Sequence, residues 1–150
     1  MSKENNKNLC WVCNSKIEAF MSFGKMPIAN NFLKEEDFDN EYFFEMEPAF
    51  CNKCKTFQLV NQPEPTQMFN ESYAFFSGTS EYMNKHFQGF ANSVLSYLED
   101  DPFIVEIGSN DGIMLKNYAE KNIKHLGIEP SANVAKVARS KGVNTIVEFF

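Results

Sequence analysis

The chain has no run near the ~20 apolar residues that a membrane-spanning helix needs, and its polar start, Met1 to Asn8, lacks the apolar segment of a secretory signal. Both absences predict a cytoplasmic protein. Positive charge is short as well: 14 lysines and arginines face 20 acidic residues, for a net charge of −6. No cluster of basic residues breaks that balance. Nucleic acid and anionic membrane surfaces are gripped through basic faces, so neither is expected as the main partner. Internal repeats and low-complexity tracts are missing. Cysteine is scarce, with four in 150 residues, and every one falls before residue 55.

What is present suits a folded protein. Hydrophobic residues make up 43% and aromatic residues 15%, with sixteen phenylalanines, which is enough for a core and too much for a disordered chain. Residues 9–60 read as short strands around two cysteine turns, at Ile17–Phe23, Tyr42–Glu47 and Thr56–Val60. Two prolines make 61–66 a linker, and 69–80, rich in aromatics and hydroxyls, a loop. Ser80 is placed to cap a helix over 81–98, with Met83, Phe87, Phe90, Val94 and Leu98 as its apolar stripe. From Phe103 the pattern alternates: strand Phe103–Ile107, turn Gly108–Gly112, helix Ile113–Lys121, strand His125–Ile128, a helix from Ser131 to about Lys141, and a third strand over Val143–Phe149. Such alternation predicts a parallel sheet with right-handed crossovers. Three strands make a small doubly wound sheet, so the chain reads as part of a longer protein.

Cys10, Cys13, Cys51 and Cys54 form two Cys-x-x-Cys turns. Each turn aims two sulfurs at a common point, and two turns complete a tetrahedral thiolate site that suits zinc. In a reducing compartment paired cysteines bind metal more often than they form disulfides. A rubredoxin-type iron centre, a disulfide pair and redox thiols are the alternatives. Four sulfurs leave no position for water, so the expected zinc is structural. About fifty residues bury little core, and a metal staple compensates for that.

Glu106-Ile-Gly108-Ser-Asn-Asp-Gly112 follows a strand and opens a helix. Glycine admits close backbone approach, and a helix start offers free N–H donors. A dinucleotide fingerprint needs glycine at 108, 110 and 113, yet Asn110 and Ile113 hold the last two positions. The turn instead resembles the first motif of S-adenosylmethionine (SAM) methyltransferases, an acid followed by Gly-x-x-x-Gly. Glu129 ends the second strand, where that family carries the carboxylate that accepts the ribose hydroxyls, and a carboxylate can take two such bonds. An ordinary βα turn with an exposed glutamate is the plain alternative.

Tyr73, Phe76, Ser77, Ser80 and His86 surround the entry to the first helix of this region, and packing alone would account for Phe76 or His86. Three features occur together: the four-cysteine module, the Tyr73-x-x-Phe-Ser-x-x-Ser80 loop, and Val105-Glu-Ile-Gly-Ser-Asn-Asp-Gly112. In combination they resemble the nucleotide-sugar C-methyltransferases of deoxysugar biosynthesis, which carry an N-terminal zinc-binding domain. The resemblance spans the chain but only the first part of such an enzyme. It implies an α/β protein with a small β-rich zinc-binding domain over 1–62, a linker and loop over 63–80, and the first half of a SAM-binding Rossmann-like sheet over 81–150.

By the same resemblance Cys10, Cys13, Cys51 and Cys54 hold zinc. Glu106, Gly108, Ser109, Asn110, Asp111, Gly112 and Glu129 line the SAM site, and Tyr73 and Ser80 lie near the cofactor or the sugar. Ser109 stands where a small residue such as cysteine is common, and Glu129 where aspartate also occurs. The implied substrate is a small molecule, a 4-keto nucleotide sugar methylated on carbon 3. Carbon methylation needs a base beside a carbonyl and a stabilised enolate. His86 is the one weak candidate; His125 reads as structural or exposed, and the family's acid–base residues lie further along. The chain alone is therefore expected to bind zinc, to bind SAM weakly at best, and not to turn over. Two rival readings remain, an RNA base methyltransferase with a zinc module and a non-catalytic zinc-stabilised interaction module. Nothing in the residues specifies an oligomeric state.

Overall fold

The computed structural model describes residues 8–150; the polar stretch 1–7, read above as lacking a signal, lies outside them. The chain divides into two compact units, one ending at Met68 and one beginning at Phe69. No helix among the described residues is long and apolar enough to cross a membrane.

The first unit is assembled from short antiparallel pairs. β1 (Lys25–Pro27) pairs with β2 (Phe43–Glu45), and β3 (Pro48–Phe50) pairs with β4 (Phe57–Leu59). A single turn of helix, α1 (Pro65–Met68), begins at a proline, a residue whose missing N–H is harmless at the first helical position. The strand expected over Ile17–Phe23 does not form. That segment contributes only the isolated Ala19 to Ala49 bridge. Its flanking amides explain why: Phe20 N–H donates to Pro48 O and Phe23 N–H to Met46 O. Three residues on one side thus face two on the other, and such a mismatch breaks a ladder. The core here is small, comprising Cys10, Ile17, Ala49 and Cys51 with Val60 against them. Half of its fully buried residues are metal-type ligands.

The second unit opens with α2 (Glu81–Leu95). Ser80 caps it as expected, its Oγ accepting the Met83 N–H at 3.2 Å. The helix stops at Leu95, short of Leu98, where the Ser93 and Ser96 hydroxyls bond back to the carbonyls of Phe90 and Ser93 and loosen the last turn. The buried face is centred on Ala91, with Val94 and Leu95, while Phe90 is 49% exposed. The face therefore follows the Phe87 to Ala91 step, and Phe90 falls off the expected stripe.

β5 (Phe103–Ile107), β6 (Lys124–Ile128) and β7 (Thr145–Ile146) form a parallel sheet in that order. α3 (Lys116–Ala119) and α4 (Ala132–Ser140) are the crossovers, so the unit is a Rossmann-like half. α3 is shorter than the expected 113–121 because its approach is a turn, where the Asn117 amide donates to the carbonyls of Ile113 and Met114. β7 is likewise shorter than 143–149, since Val143 is drawn into the core with Ala91, Leu115, Tyr118 and Ala138. Ile104 packs against that core, and the opposite face of β5 leaves Phe103, Val105 and Ile107 exposed.

Gly112 sits at φ +73, and a Cβ there would lie 2.9 Å from Val143 Cγ2 and 3.1 Å from Ala138 Cβ. Gly142, at φ +81, has nothing within 4 Å of its would-be Cβ. Replacing Gly112 with alanine combines left-handed strain with overpacking and should destabilise by about 2–4 kcal/mol. Gly142→Ala should show the backbone term alone, about 1–2 kcal/mol. Urea unfolding followed by circular dichroism measures both, and equal losses would show that the close approach at Gly112 carries no penalty.

Candidate functional site

The two cysteine turns fold identically. In each, the amide of the residue after the second cysteine donates to the carbonyl of the first: Asn14 to Cys10 at 2.9 Å, Lys55 to Cys51 at 2.8 Å. The first cysteine then donates to the carbonyl two residues past the second: Cys10 to Ser15 at 2.8 Å, Cys51 to Thr56 at 2.9 Å. Asn14 and Lys55 both adopt left-handed backbone, at φ +56 and +65. This knuckle turns both sulfurs inward.

All four Sγ atoms lie within 4.8 Å of one another, with 3.5 Å between Cys10 and Cys54 and between Cys13 and Cys51. Zinc–sulfur bonds of about 2.3 Å in a tetrahedron place sulfurs about 3.8 Å apart, so the donor set fits zinc. The thiols are free, and Cys10 and Cys51 are fully buried. Burial pushes the Cys10 thiol up to about 11. The Ser15 hydroxyl, then its N–H, pulls Cys13 down to about 6, and Thr56 lowers Cys54 in the same way. The Thr56 Oγ1 is 3.2 Å from the Cys54 sulfur. Ser15 and Thr56 are thus matched supports for the ligands, missed in the sequence reading although the repeat Cys-x-x-Cys-x-Ser/Thr displays them.

Zinc requires all four cysteines as thiolates, so its binding releases protons and weakens as pH falls. A chelator should unfold residues 9–60, seen as loss of their amide protection. Thr56→Val removes a hydroxyl from one ligand and should weaken zinc binding about tenfold by competition with a chromophoric chelator. A variant with unaltered affinity would reduce Thr56 to a packing residue.

The glycine turn is built around Glu129. This carboxylate is 4% exposed and takes the Asn110 N–H at 2.9 Å on one oxygen and the Ser131 N–H at 2.8 Å on the other. It therefore caps the entry to α4, where Ser131 occupies the cap position but its own hydroxyl makes no capping bond. Gly108 stands at φ +70 with open space where a side chain would project. Ser109 is buried, its hydroxyl pressed to the bare face of Gly127. Asn110 is left-handed at φ +48, a conformation that asparagine tolerates better than most residues. Gly112 makes its close approach to protein, at Val143 and Ala138.

The side chains of Asn110 and Asp111 engage the backbone of the preceding loop at Phe75, Ser77 and Gly78. Tyr73 is tied to this group through its carbonyl, which accepts from Asn133 at 2.7 Å, and its ring rests on Phe69. Ser80 gives its hydroxyl to the helix cap. His86 stands exposed on α2 against the Phe87 ring. His125 has its Nδ1 at the Ile123 carbonyl and its Nε2 accepting the Asn144 N–H, so it is a structural histidine. The sequence reading missed Gly78, Asn133 and Lys141, which join the turn from distant positions and carry no local motif.

Glu106 is the least settled charge in this region. One oxygen, Oε2, is buried without a hydrogen-bond partner, and burial raises the carboxyl from 4.5 to about 7. The folded protein then keeps a proton that the unfolded chain loses, so this group's contribution falls as pH rises from about 4.5 through about 7. Glu106→Gln should match the wild-type melting temperature near pH 4 and exceed it above pH 7.5. Parallel melting curves across that range would refute the buried-carboxyl account.

Residues 10–69 match a methyltransferase-related family described as "Putative zinc binding domain". Over 129 residues, 84% of the chain, the sequence is 30% identical to the C-methyltransferase NovU of Streptomyces niveus. The chain spans 30% of that relative's length.

Proposed function

We propose that the chain, whose residues 10–69 resemble a methyltransferase-related zinc-binding domain and which is similar over 84% of its length to a C-methyltransferase, is part of a SAM-dependent enzyme that methylates carbon in a 4-keto nucleotide sugar. The observation that carries this reading is the Glu106–Gly112 turn, locked to Glu129 and following, in chain order, a four-sulfur centre. SAM supplies, when bound, a methyl group on an electrophilic sulfonium. The donor set fits such a cation: Glu106 holds a buried carboxyl oxygen with no partner, whose ionised form a bound cation would favour, and Gly108 leaves the approach open. Each oxygen of Glu129 has one backbone bond and keeps a second lone pair, enough to accept a ribose hydroxyl.

Proton removal from the sugar needs a base within hydrogen-bond reach. His125 is engaged at both ring nitrogens and His86 lies exposed on α2, so we place the base outside these residues. A zinc ion held by Cys10, Cys13, Cys51 and Cys54 would tie the first unit together and take no part in the chemistry. The exposed apolar face of β5 supports a sheet domain larger than the present three strands, because parallel sheets are ordinarily covered on both faces. A cytoplasmic setting and a small-molecule partner agree with the acidic balance.

Titration calorimetry of the full-length protein with SAM tests the reading. One site is expected, and Glu129→Ala should weaken it about 10–100-fold, the worth of a charge-assisted bond. Mass spectrometry should then detect methyl transfer to a 4-keto nucleotide sugar by the full-length protein and none by residues 1–150. Absence of any heat with SAM would reject the enzyme assignment, and retention of counted filter-bound RNA at moderate salt would redirect it to a nucleic-acid substrate.

A further inference from the structure

Side chains from separate turns converge on the backbone of residues 73–78. Asn133 Nδ2 donates to the Tyr73 carbonyl at 2.7 Å. Asn110 Nδ2 donates to the Phe75 carbonyl at 3.1 Å while its Oδ1 accepts the Ser77 N–H at 2.9 Å. Asp111 accepts the Gly78 N–H on both oxygens, at 3.2 and 3.0 Å. Asp111 is itself 3% exposed and is held by Lys141, whose ammonium lies 3.0 Å from Oδ2 and 2.8 Å from the Asp111 carbonyl. At the far end the Asn84 amide donates to the carbonyls of Gly78 and Ser80. This segment contains a single 3-10 turn, Ser77–Thr79, and belongs to no sheet. Side chains here supply the bonds that a ladder would give a strand.

Two features indicate that the grip does more than close a core. First, the loop is held by its backbone and its side chains are only partly covered: Phe75 is 55% exposed, and Tyr73, Phe76 and Ser77 are half-buried. Second, the gripping asparagines follow the carboxyl ends of β5 and β6, the edge at which open α/β sheets take their ligands. The fit is close. A Cβ on Gly78 would lie 2.5 Å from Asp111 Oδ2 and 3.1 Å from Lys141 Nζ.

We propose that Asn110, Asp111 and Asn133 are positioning residues that clamp residues 73–78 as a fixed wall of the ligand site, with Lys141 setting the Asp111 carboxylate and Gly78 admitting it. The proposal rests on the reading of this site as a SAM pocket. Asn110 and Asp111 then serve the cofactor through the loop, with their side chains turned to Phe75, Ser77 and Gly78.

Gly78→Ala tests the clamp without removing any side chain that could touch a ligand. It should speed hydrogen exchange at the Ser77 and Gly78 amides and raise the Kd for SAM of the full-length protein about 10–100-fold, the scale of an ångström-level displacement. Gly89→Ala, in α2 with nothing within 4 Å of the added carbon, is the control and should change neither. Asp111→Asn keeps an acceptor for the Gly78 N–H and should recover part of the affinity that Asp111→Ala loses, a graded rescue that simple destabilisation does not produce. A wild-type protein that binds no SAM rejects the methyltransferase reading. A wild type that binds, paired with an unchanged Kd in Gly78→Ala, overturns the clamp alone.

Discussion

The Glu129 carboxylate accepts one backbone amide on each oxygen, Asn110 at 2.9 Å and Ser131 at 2.8 Å, and the second unit is organised by that pair of bonds. The first bond fixes a residue in left-handed backbone at the head of the glycine turn. The second caps the helix after β6 in place of the Ser131 hydroxyl. A buried carboxylate is costly unless its lone pairs are met, and here amides from two successive βα turns meet them. With both turns pinned, Asn110, Asp111 and Asn133 are aimed at one loop, and the site acquires a wall that no local segment could build alone.

The first unit answers the same shortage of core by a different route. Cys10, Ile17, Ala49 and Cys51 are its buried cluster, too little apolar material for a domain of this size to be comfortable. Two knuckles with the same hydrogen bonds, the same left-handed residue and the same hydroxyl-bearing support bring four sulfurs to one point. The duplication is geometric. Asn14 and Lys55 share a conformation with little chemical likeness, so the turn imposes the φ angle on whichever residue stands there, at the cost of some strain.

Legibility varied with the range of the interaction. The Ser80 cap, the cysteine knuckles and the succession of strands and helices depend on residues within a few positions of one another, and each is readable. One position of the helix stripe departs, because Phe90 is apolar but Ala91 faces the core, and size alone does not reveal which side is covered. The supposed strand at Ile17–Phe23 had the right composition, yet its register against 46–48 gains an extra residue and the ladder fails. The sequence marks Glu129 as a carboxylate suited to a ribose diol, with an exposed glutamate as the plain alternative, and does not reveal its burial. Its burial and its two amide bonds arise from the turn folding back over β6, nineteen residues away from Asn110.

The four-sulfur centre, the α/β alternation and the glycine turn after β5 are legible in the residues alone, because spacing and periodicity act over short distances. Which of the turn's side chains bond the neighbouring loop emerges only from the fold. Asn110 and Asp111 look like cofactor contacts in a linear motif. In the fold both bond the loop at 75–78, and Gly78 and Lys141, thirty-three and thirty residues distant, are brought against Asp111. Hydrogen bonds of that kind join segments with no shared pattern, and packing of the whole unit is what brings their partners within reach.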